Sequence, residues 1–205
     1  MSDPNFLGLN INNTLSWKTH IDKILPKLSS ACFAMRAVKL FMSPQMLKAI
    51  YYLHFHSIIS YGVIFWGHIA PSTRVFSLQK RKIRIMTGSR SKDSCRELFT
   101  SLEILAFPSL YIFSLLRFVI KNKKLFTTNN ETNNYGTRQH HDFHYPSANL
   151  KKFQTGVHYM SVKIYNSLPI YIKIELNNTK KFESLLKKFL LENSFYSLEE
   201  FYNFA

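Results

Sequence analysis

Residues 140–144 are the part of the sequence where metal-ligand residue types lie closest together. The segment reads His-His-Asp-Phe-His, and imidazole and carboxylate groups are common ligands of divalent metals. It lacks the spacing of ligands on one helix face, has no cysteine beside it, and lies in a polar stretch typical of a loop. We therefore predict that it binds no metal and that the chain uses no cofactor.

Carboxylates that could hold catalytic magnesium ions are far apart in the sequence. Two-metal nucleotidyl transfer needs clustered carboxylates, whereas the four aspartates are widely separated, at Asp3, Asp22, Asp93 and Asp142. The sequence also lacks the GxSxG motif, a glycine-rich phosphate loop and the HExxH motif. It therefore predicts a chain without catalytic residues of its own.

Basic residues are the dominant charged groups of the chain. Lys and Arg number 27 against 12 Asp and Glu, which gives a formal net charge of +15. This excess favours a polyanionic partner, either nucleic acid or an anionic membrane surface. A nucleotide bias in the coding DNA is the alternative cause of the excess. The placement of the basic residues has to distinguish this bias from a polyanionic partner.

The densest basic stretch coincides with a helix predicted over residues 72–88. Its apolar face carries Phe76, Ile83 and Met86 at helical spacing. Between residues 73 and 92 there are seven Lys or Arg and no Asp or Glu. Basic side chains of this kind contact backbone phosphates in nucleic acids, and a solvated charged face is the alternative. The predicted nucleic-acid contacts of this region are Arg74, Lys80, Arg81, Arg84, Arg90 and Lys92.

The period of the apolar side chains predicts the elements that position these residues. Apolar positions alternate around Asn12-Asn13, which predicts a short hairpin ending near Trp17. The period then becomes helical, with Thr19 and the Ser43-Pro44 pair as predicted helix starts. Further helices are predicted in three places: after Pro108, over residues 157–167 and over residues 180–191. The predicted fold class is mainly α, with strand confined to residues 1–17.

Two predicted helices carry finer expectations. The helix that begins at Ser43-Pro44 is predicted to run through the helically spaced residues Leu47, Ile50, Tyr51, His54, Ile58 and Tyr61. In the last helix, Glu183 stands four residues before Lys187, a spacing that favours an ion pair.

Residues 50–70 contain no Asp, Glu, Lys or Arg. A span of this length could cross a bilayer, so a small membrane-associated protein anchored by residues 50–70 is the alternative function. Three histidines and two serines dilute the span, and basic residues flank both sides, so no orientation bias appears. A buried core helix is the favoured interpretation, and no membrane partner is expected.

The two cysteines and the amino terminus bear on the compartment. Cys32 and Cys95 stand far apart, without the spacing of a zinc site or of a disulfide framework. The first residues lack the basic and apolar regions of a secretory signal. We therefore expect an intracellular protein, in the nucleus or cytoplasm, that is not secreted.

A series of short motifs follows in order along the chain. The first are Phe6-Leu7-Gly8-Leu9, Leu15-Ser16-Trp17 with His20-Ile21, Lys27-Leu28-Ser29 and Tyr51-Tyr52. The next are Ser60-Tyr61-Gly62, Trp66-Gly67, Leu78-Gln79-Lys80 with Ile83-Arg84, and Pro108-Ser109-Leu110-Tyr111. The last are Thr137-Arg138 and Tyr165-Asn166-Ser167-Leu168-Pro169. This ordered series resembles the segment that follows the palm in jockey-like non-LTR retrotransposon reverse transcriptases (RNA-directed DNA polymerases). Tyr165 departs from it, because the family usually has tryptophan there.

The resemblance implies a non-catalytic carboxy-terminal fragment that holds primer and template. It implies a primer-grip-like hairpin over residues 1–17, a thumb-like helical domain over 18–124, a polar linker over 125–153 and a helical tail over 154–205. It also implies nucleic-acid contacts at the grip, at Phe6, Leu7, Gly8 and Leu9. The expected partners are nucleic acid (RNA, DNA or hybrid) and the polymerase palm and fingers, which this chain lacks together with the catalytic aspartates.

Overall fold

The structure is a computed structural model that describes residues 4–129 and 142–204. Within those residues the chain is mainly helical, and its one sheet is a two-stranded antiparallel hairpin near the amino terminus. Outside that hairpin they form a single isolated bridge, between Thr128 and Phe143. The predicted mainly α fold with a short amino-terminal hairpin is therefore confirmed.

The strands are β1 (Asn5–Phe6) and β2 (Leu9–Asn10). The α-helices are α1 (Lys18–Val38), α2 (Pro44–Tyr51), α3 (Ser57–Ser60), α4 (Val63–Trp66), α5 (Thr73–Thr87), α6 (Arg96–Ser101), α7 (Phe107–Lys121), α8 (Lys151–Gln154), α9 (Val157–Asn166), α10 (Ile170–Lys173), α11 (Thr179–Asn193) and α12 (Leu198–Phe204). A π-helical turn, Tyr52–His56, joins α2 to α3, and 3-10 turns occur at Ala70–Ser72, Lys123–Leu125 and Ile174–Asn177. The predicted long helices are present, whereas the short helices α6, α8, α10 and α12 were not predicted.

The turn of the hairpin lies at Leu7-Gly8 and not at Asn12-Asn13 as predicted. The chain also turns at Asn12, whose carbonyl accepts from the amide of Leu15 at 3.0 Å, but this turn joins none of the described strands. Phe6 pairs with Leu9, and both turn residues have positive φ, 47° at Leu7 and 81° at Gly8. Positive φ at both central residues is the geometry of a type I′ turn, which matches the twist of the two strands. The Asn12 side chain instead accepts a hydrogen bond from the amide of Ser16, at 2.8 Å.

Helix α1 begins at Lys18, so the predicted cap at Thr19 is wrong. Trp17 occupies the cap position in the left-handed conformation (φ 56°) and makes no side-chain capping bond. Its ring stacks on Phe65, with the ring centroids 5.9 Å apart. A tertiary ring contact therefore fixes this end of the helix, where local sequence pointed to a threonine cap.

Helix α2 starts as predicted, because the Ser43 side chain accepts from the amide of Met46 and Pro44 is the first helical residue. The predicted helical series is only partly right: Leu47 and Tyr51 are buried, whereas His54 is exposed and Tyr61 is exposed and extended. The buried positions continue instead at Phe55 and Ile59. A π-helical turn bonds residues five apart, so it rotates the residues that follow it.

Contacts divide the chain into two compact units, Met1–Pro108 and Ser109–Ala205. The predicted division into hairpin, thumb-like domain, linker and tail stays a prediction. Residues 130–141, which contain Thr137-Arg138, His140-His141 and most of the predicted linker's asparagines, lie outside the described residues.

The core of the first unit is built from aromatic rings. Trp66 is fully buried and stacks on Phe107, with the ring centroids 5.5 Å apart. Its indole nitrogen donates to the carbonyl of Tyr61 at 3.1 Å. The buried amide of Gln79 donates to the hydroxyl of Tyr51 at 2.8 Å and to the carbonyl of Leu105 at 2.9 Å. This amide therefore ties α5 to α2 and to the segment before α7.

The second unit is fastened by polar contacts at Asn166 and Lys173. Asn166 accepts from the amide of Phe143 and donates to its carbonyl, both at 2.9 Å. The ammonium of Lys173, buried beside it, pairs with Asp142 at 2.7 Å. Arg117 pairs with Glu183 at 3.0 Å, so the predicted pairing of Glu183 with Lys187 is wrong, because a partner from another helix binds this carboxylate.

Residues 50–70 do not form one uninterrupted α-helix. The π-helical turn, a non-helical Tyr61 and a left-handed Gly62 lie within the span. Among residues 4–129 and 142–204, no helix has the length and apolar content needed to cross a membrane.

Candidate nucleic-acid interface

A cleft of about 780 Å³ lies between the carboxyl ends of α1 and α5 and the loop that follows α5. Its volume falls within the range of roughly 300–1,000 Å³ typical of ligand-binding clefts. Four basic residues, three serine or glycine residues and two apolar residues line it: Arg36, Lys39, Arg81, Arg84, Gly88, Ser89, Ser91, Leu40 and Ile85. No carboxylate is among these residues, so the lining is strongly cationic.

Helices α1 and α5 lie side by side and run in the same direction. Near their amino ends Arg74 contacts Asp22, and near their middles Lys82 donates to the carbonyl of Ala31. The carboxyl ends of both helices therefore meet at the cleft. Helix carboxyl ends carry partial negative charge, which stabilises basic side chains placed there.

Gly88 shapes the end of α5 and leaves room for Lys39. Its φ is 78°, and its amide donates to the carbonyl of Arg84 at 2.9 Å. A β-carbon at this position would lie 2.9 Å from the ammonium nitrogen of Lys39. The left-handed backbone therefore favours glycine here, and the end of the Lys39 side chain occupies the space that a β-carbon would fill.

Arg84 is the cleft residue that the loop already engages. Its Nε and Nη2 atoms donate to the carbonyl of Asp93 at 3.0 and 2.7 Å. The Asp93 carboxylate in turn accepts from the amide of Arg90 at 2.8 Å. These bonds hold the loop against α5 and fix one wall of the cleft.

Three cationic side chains of the cleft remain available to a ligand. Within the described residues, no hydrogen bond or ion pair engages the side chains of Arg36, Lys39 or Arg81. Arg36 and Arg81 are exposed, and Lys39 is partly exposed. Guanidinium and ammonium groups in this state bind phosphate oxygens, because the fork of arginine can donate two bonds and lysine supplies a point charge.

The other predicted contacts of the basic helix occupy different surroundings. Arg74 pairs with Asp22 at 2.6 Å and shares a second depression, of about 460 Å³, with Arg81. The ammonium of Lys80 lies 4.7 Å from the centre of the Phe76 ring. Arg90 and Lys92 are exposed in the loop after α5. The structure thus brings Arg81 and Arg84 together in the cleft and leaves these four outside its lining.

Lys82, one of the seven basic residues of this stretch, is fully buried. Its ammonium donates to the carbonyl of Ala31 at 2.5 Å and lies 5.8 Å from the centre of the Phe55 ring. Burial lowers the pKa of Lys82 to about 8, since a cation loses its hydration in the interior. This lysine therefore belongs to the packing between α1 and α5.

The predicted contacts of the hairpin divide between core and surface. Phe6 and Leu7 are exposed, whereas Leu9 is buried. A β-carbon on Gly62 would lie 2.8 Å from the Leu9 side chain, and the hydroxyl of Tyr61 donates to the carbonyl of Leu7. The hairpin, including Gly8, therefore packs on the Tyr61-Gly62 turn, and none of its residues lines the cleft.

Arg36 and Lys39 are the cleft residues that sequence reasoning missed. One signal was present: residues 23–92 contain no Asp or Glu, so the acid-free stretch reaches back into α1. The densest basic run lies in α5 and the loop after it, so it does not include the residues on the α1 side of the cleft.

Three histidines of the described part of the chain are buried or half-buried. Burial lowers the pKa of His20, His56 and His68, which keeps the rings neutral near neutral pH. Among the described residues, no group of three His, Cys, Asp or Glu could hold a metal ion.

No protein-family model, curated protein or solved structure matches the chain.

Proposed function

We propose that the chain is a non-catalytic, nucleic-acid-holding segment of a reverse transcriptase of the jockey-like non-LTR retrotransposon type. In such a protein it would follow the palm, which supplies the catalytic aspartates, and it would hold primer and template beside that site. The cleft between α1 and α5 is the surface through which it binds.

The observation that carries the proposal is that, within the described residues, the side chains of Arg36, Lys39 and Arg81 make no hydrogen bond or ion pair. Three cations, at the carboxyl end of α1, just after it and on α5, line one cleft with no carboxylate in its lining. Cations that make no internal ion pair remain available to neutralise phosphates and release the counterions that surround them. The ordered series of motifs along the sequence adds the identity of the polyanion, because the family that it resembles binds nucleic acid.

The test replaces Arg36, Lys39 and Arg81 together with Gln. Binding to a labelled primed template with a single-stranded overhang is followed by fluorescence anisotropy over a series of salt concentrations. Each lost phosphate contact lowers the slope of log affinity against log salt by about 0.7 to 0.9. For three contacts we expect weaker binding at low salt and a slope that is smaller by about 2 to 3.

A matched control removes the same charge elsewhere. Lys180, Lys187 and Lys188 are exposed, and their replacement with Gln also lowers the net charge by three. We expect this control to keep nearly all of the affinity and slope. Equal losses in the two variants would mean that net charge alone drives binding, and an unchanged cleft variant would refute the proposed interface.

A further inference from the structure

Three exposed apolar side chains lie beside the basic cleft. Phe33 is 74% exposed, Leu40 is 84% exposed and Phe41 is 83% exposed. Phe33 lies three residues before Arg36, and Leu40 lies four residues after it. Phe33, Arg36 and Leu40 are therefore close to one line along α1 and the turn that follows it. Leu40 is itself part of the cleft lining, and Phe41 is the next residue. The two phenyl rings are exposed on the same short segment as Arg36, Lys39 and Leu40, which line the cleft.

This combination of rings and cations matches one form of nucleic acid better than the other. Proteins that bind single strands pair a positively charged groove with aromatic rings on which bases stack. A base inside a duplex has both faces covered by its neighbours, so an exposed ring has nothing to stack on. Phosphates alone would make use of Arg36, Lys39 and Arg81 but would leave the two rings in water.

We propose that the cleft takes single-stranded nucleic acid, with phosphates at Arg36, Lys39 and Arg81 and bases stacked on Phe33 and Phe41. The assignment rests on the proposed nucleic-acid function and narrows its substrate to an unpaired strand. An acidic protein or an anionic membrane would also bind the cations. Apolar contacts with either of these ligands need only apolar surface, whereas base stacking needs a planar ring.

The test replaces Phe33 and Phe41 together with Leu, which keeps apolar surface and removes the rings. Both side chains are exposed, so circular dichroism and thermal unfolding should match the wild type. Stacking contributes about 1–3 kcal/mol per base, which corresponds to roughly 5- to 150-fold in affinity. We expect binding to single-stranded oligo(dT) to weaken by at least about tenfold, and binding to a blunt duplex of the same length to stay unchanged.

The control replaces Phe153, which is 66% exposed and belongs to the second compact unit, with Leu. It should bind both probes like the wild type. The single-strand assignment is overturned if the Phe33 and Phe41 variant binds oligo(dT) like the wild type, or loses oligo(dT) and duplex equally. Binding of the wild type to phosphatidylserine vesicles in preference to oligo(dT) would overturn it as well. The cleft triple variant with Gln tests the proposed function separately, because it removes phosphate contacts on either probe.

Discussion

Replacing the buried Lys82 with Met tests whether a charge is confined between α1 and α5. Met has a stem of similar length, so it can keep the packing near Phe55 while it removes the ammonium group. The Ala31 carbonyl lies within α1, where helical carbonyls accept from the amide four residues on, so it keeps an acceptor role without Lys82. The substitution therefore removes mainly the cost of charging a buried amine.

The magnitude follows from the pKa. Lys82 ionises at about 8 in the folded chain, against an ordinary value of 10.5. At 1.36 kcal/mol for each pH unit, this difference corresponds to about 3 kcal/mol. Between the two pKa values the unfolded chain binds more protons than the folded chain, so the free energy of unfolding rises with pH. The wild type should gain about 3 kcal/mol relative to the variant as the pH rises from below 8 to above 10.5.

Urea unfolding of both proteins across this interval measures the difference. Exposed groups titrate alike in the two proteins and cancel in the comparison. Burial raises the pKa of the neighbouring Cys32 thiol, which gives a pH dependence of opposite sign, so the pair is also compared in a Cys32→Ala background. If the curves with and without Lys82→Met ran parallel in that background, the view that the ammonium is held in the interior would be refuted.

Two further substitutions probe the scaffold, both by urea unfolding. Gly88→Ala should lower the free energy of unfolding by about 1–2 kcal/mol, because an L-residue would be forced to a φ of 78°; an unchanged value would mean that α5 ends differently. Lys173→Met should cost about 3–5 kcal/mol, since it leaves the nearly buried Asp142 carboxylate without its cation. The double variant Lys173→Met with Asp142→Leu should recover most of that loss, and failure to recover would show that the ion pair is not the cause.

The sequence by itself determined the helices that have strong local signals. Ser43 and Pro44 supply a capping side chain and a preset φ, so the start of α2 could be predicted. Gly88 takes a left-handed φ without the penalty of a β-carbon, so the end of α5 could be predicted as well. Both signals act within one helical turn, which is why they can be read from a linear pattern.

Only tertiary packing determined that the side of α5 carrying Lys82 is buried. In the sequence, Lys82 belongs to a run of basic residues, whereas the fold buries it against Ala31 of α1. The sequence also does not reveal that the guanidinium of Arg84 donates to the loop carbonyl of Asp93. Charge and spacing say which side chains can meet phosphate, but not which of them the fold uses itself.

The cleft depends on residues far apart in the sequence. Arg36 and Lys39 face Arg81 because α1 and α5 pack in parallel, with Lys39 close above Gly88. The sequence determined that these residues are basic and that no acid lies between Lys23 and Lys92. Only the tertiary structure placed them in one cleft, since the contact between two helices joins residues about fifty positions apart, beyond the reach of any helical or strand period.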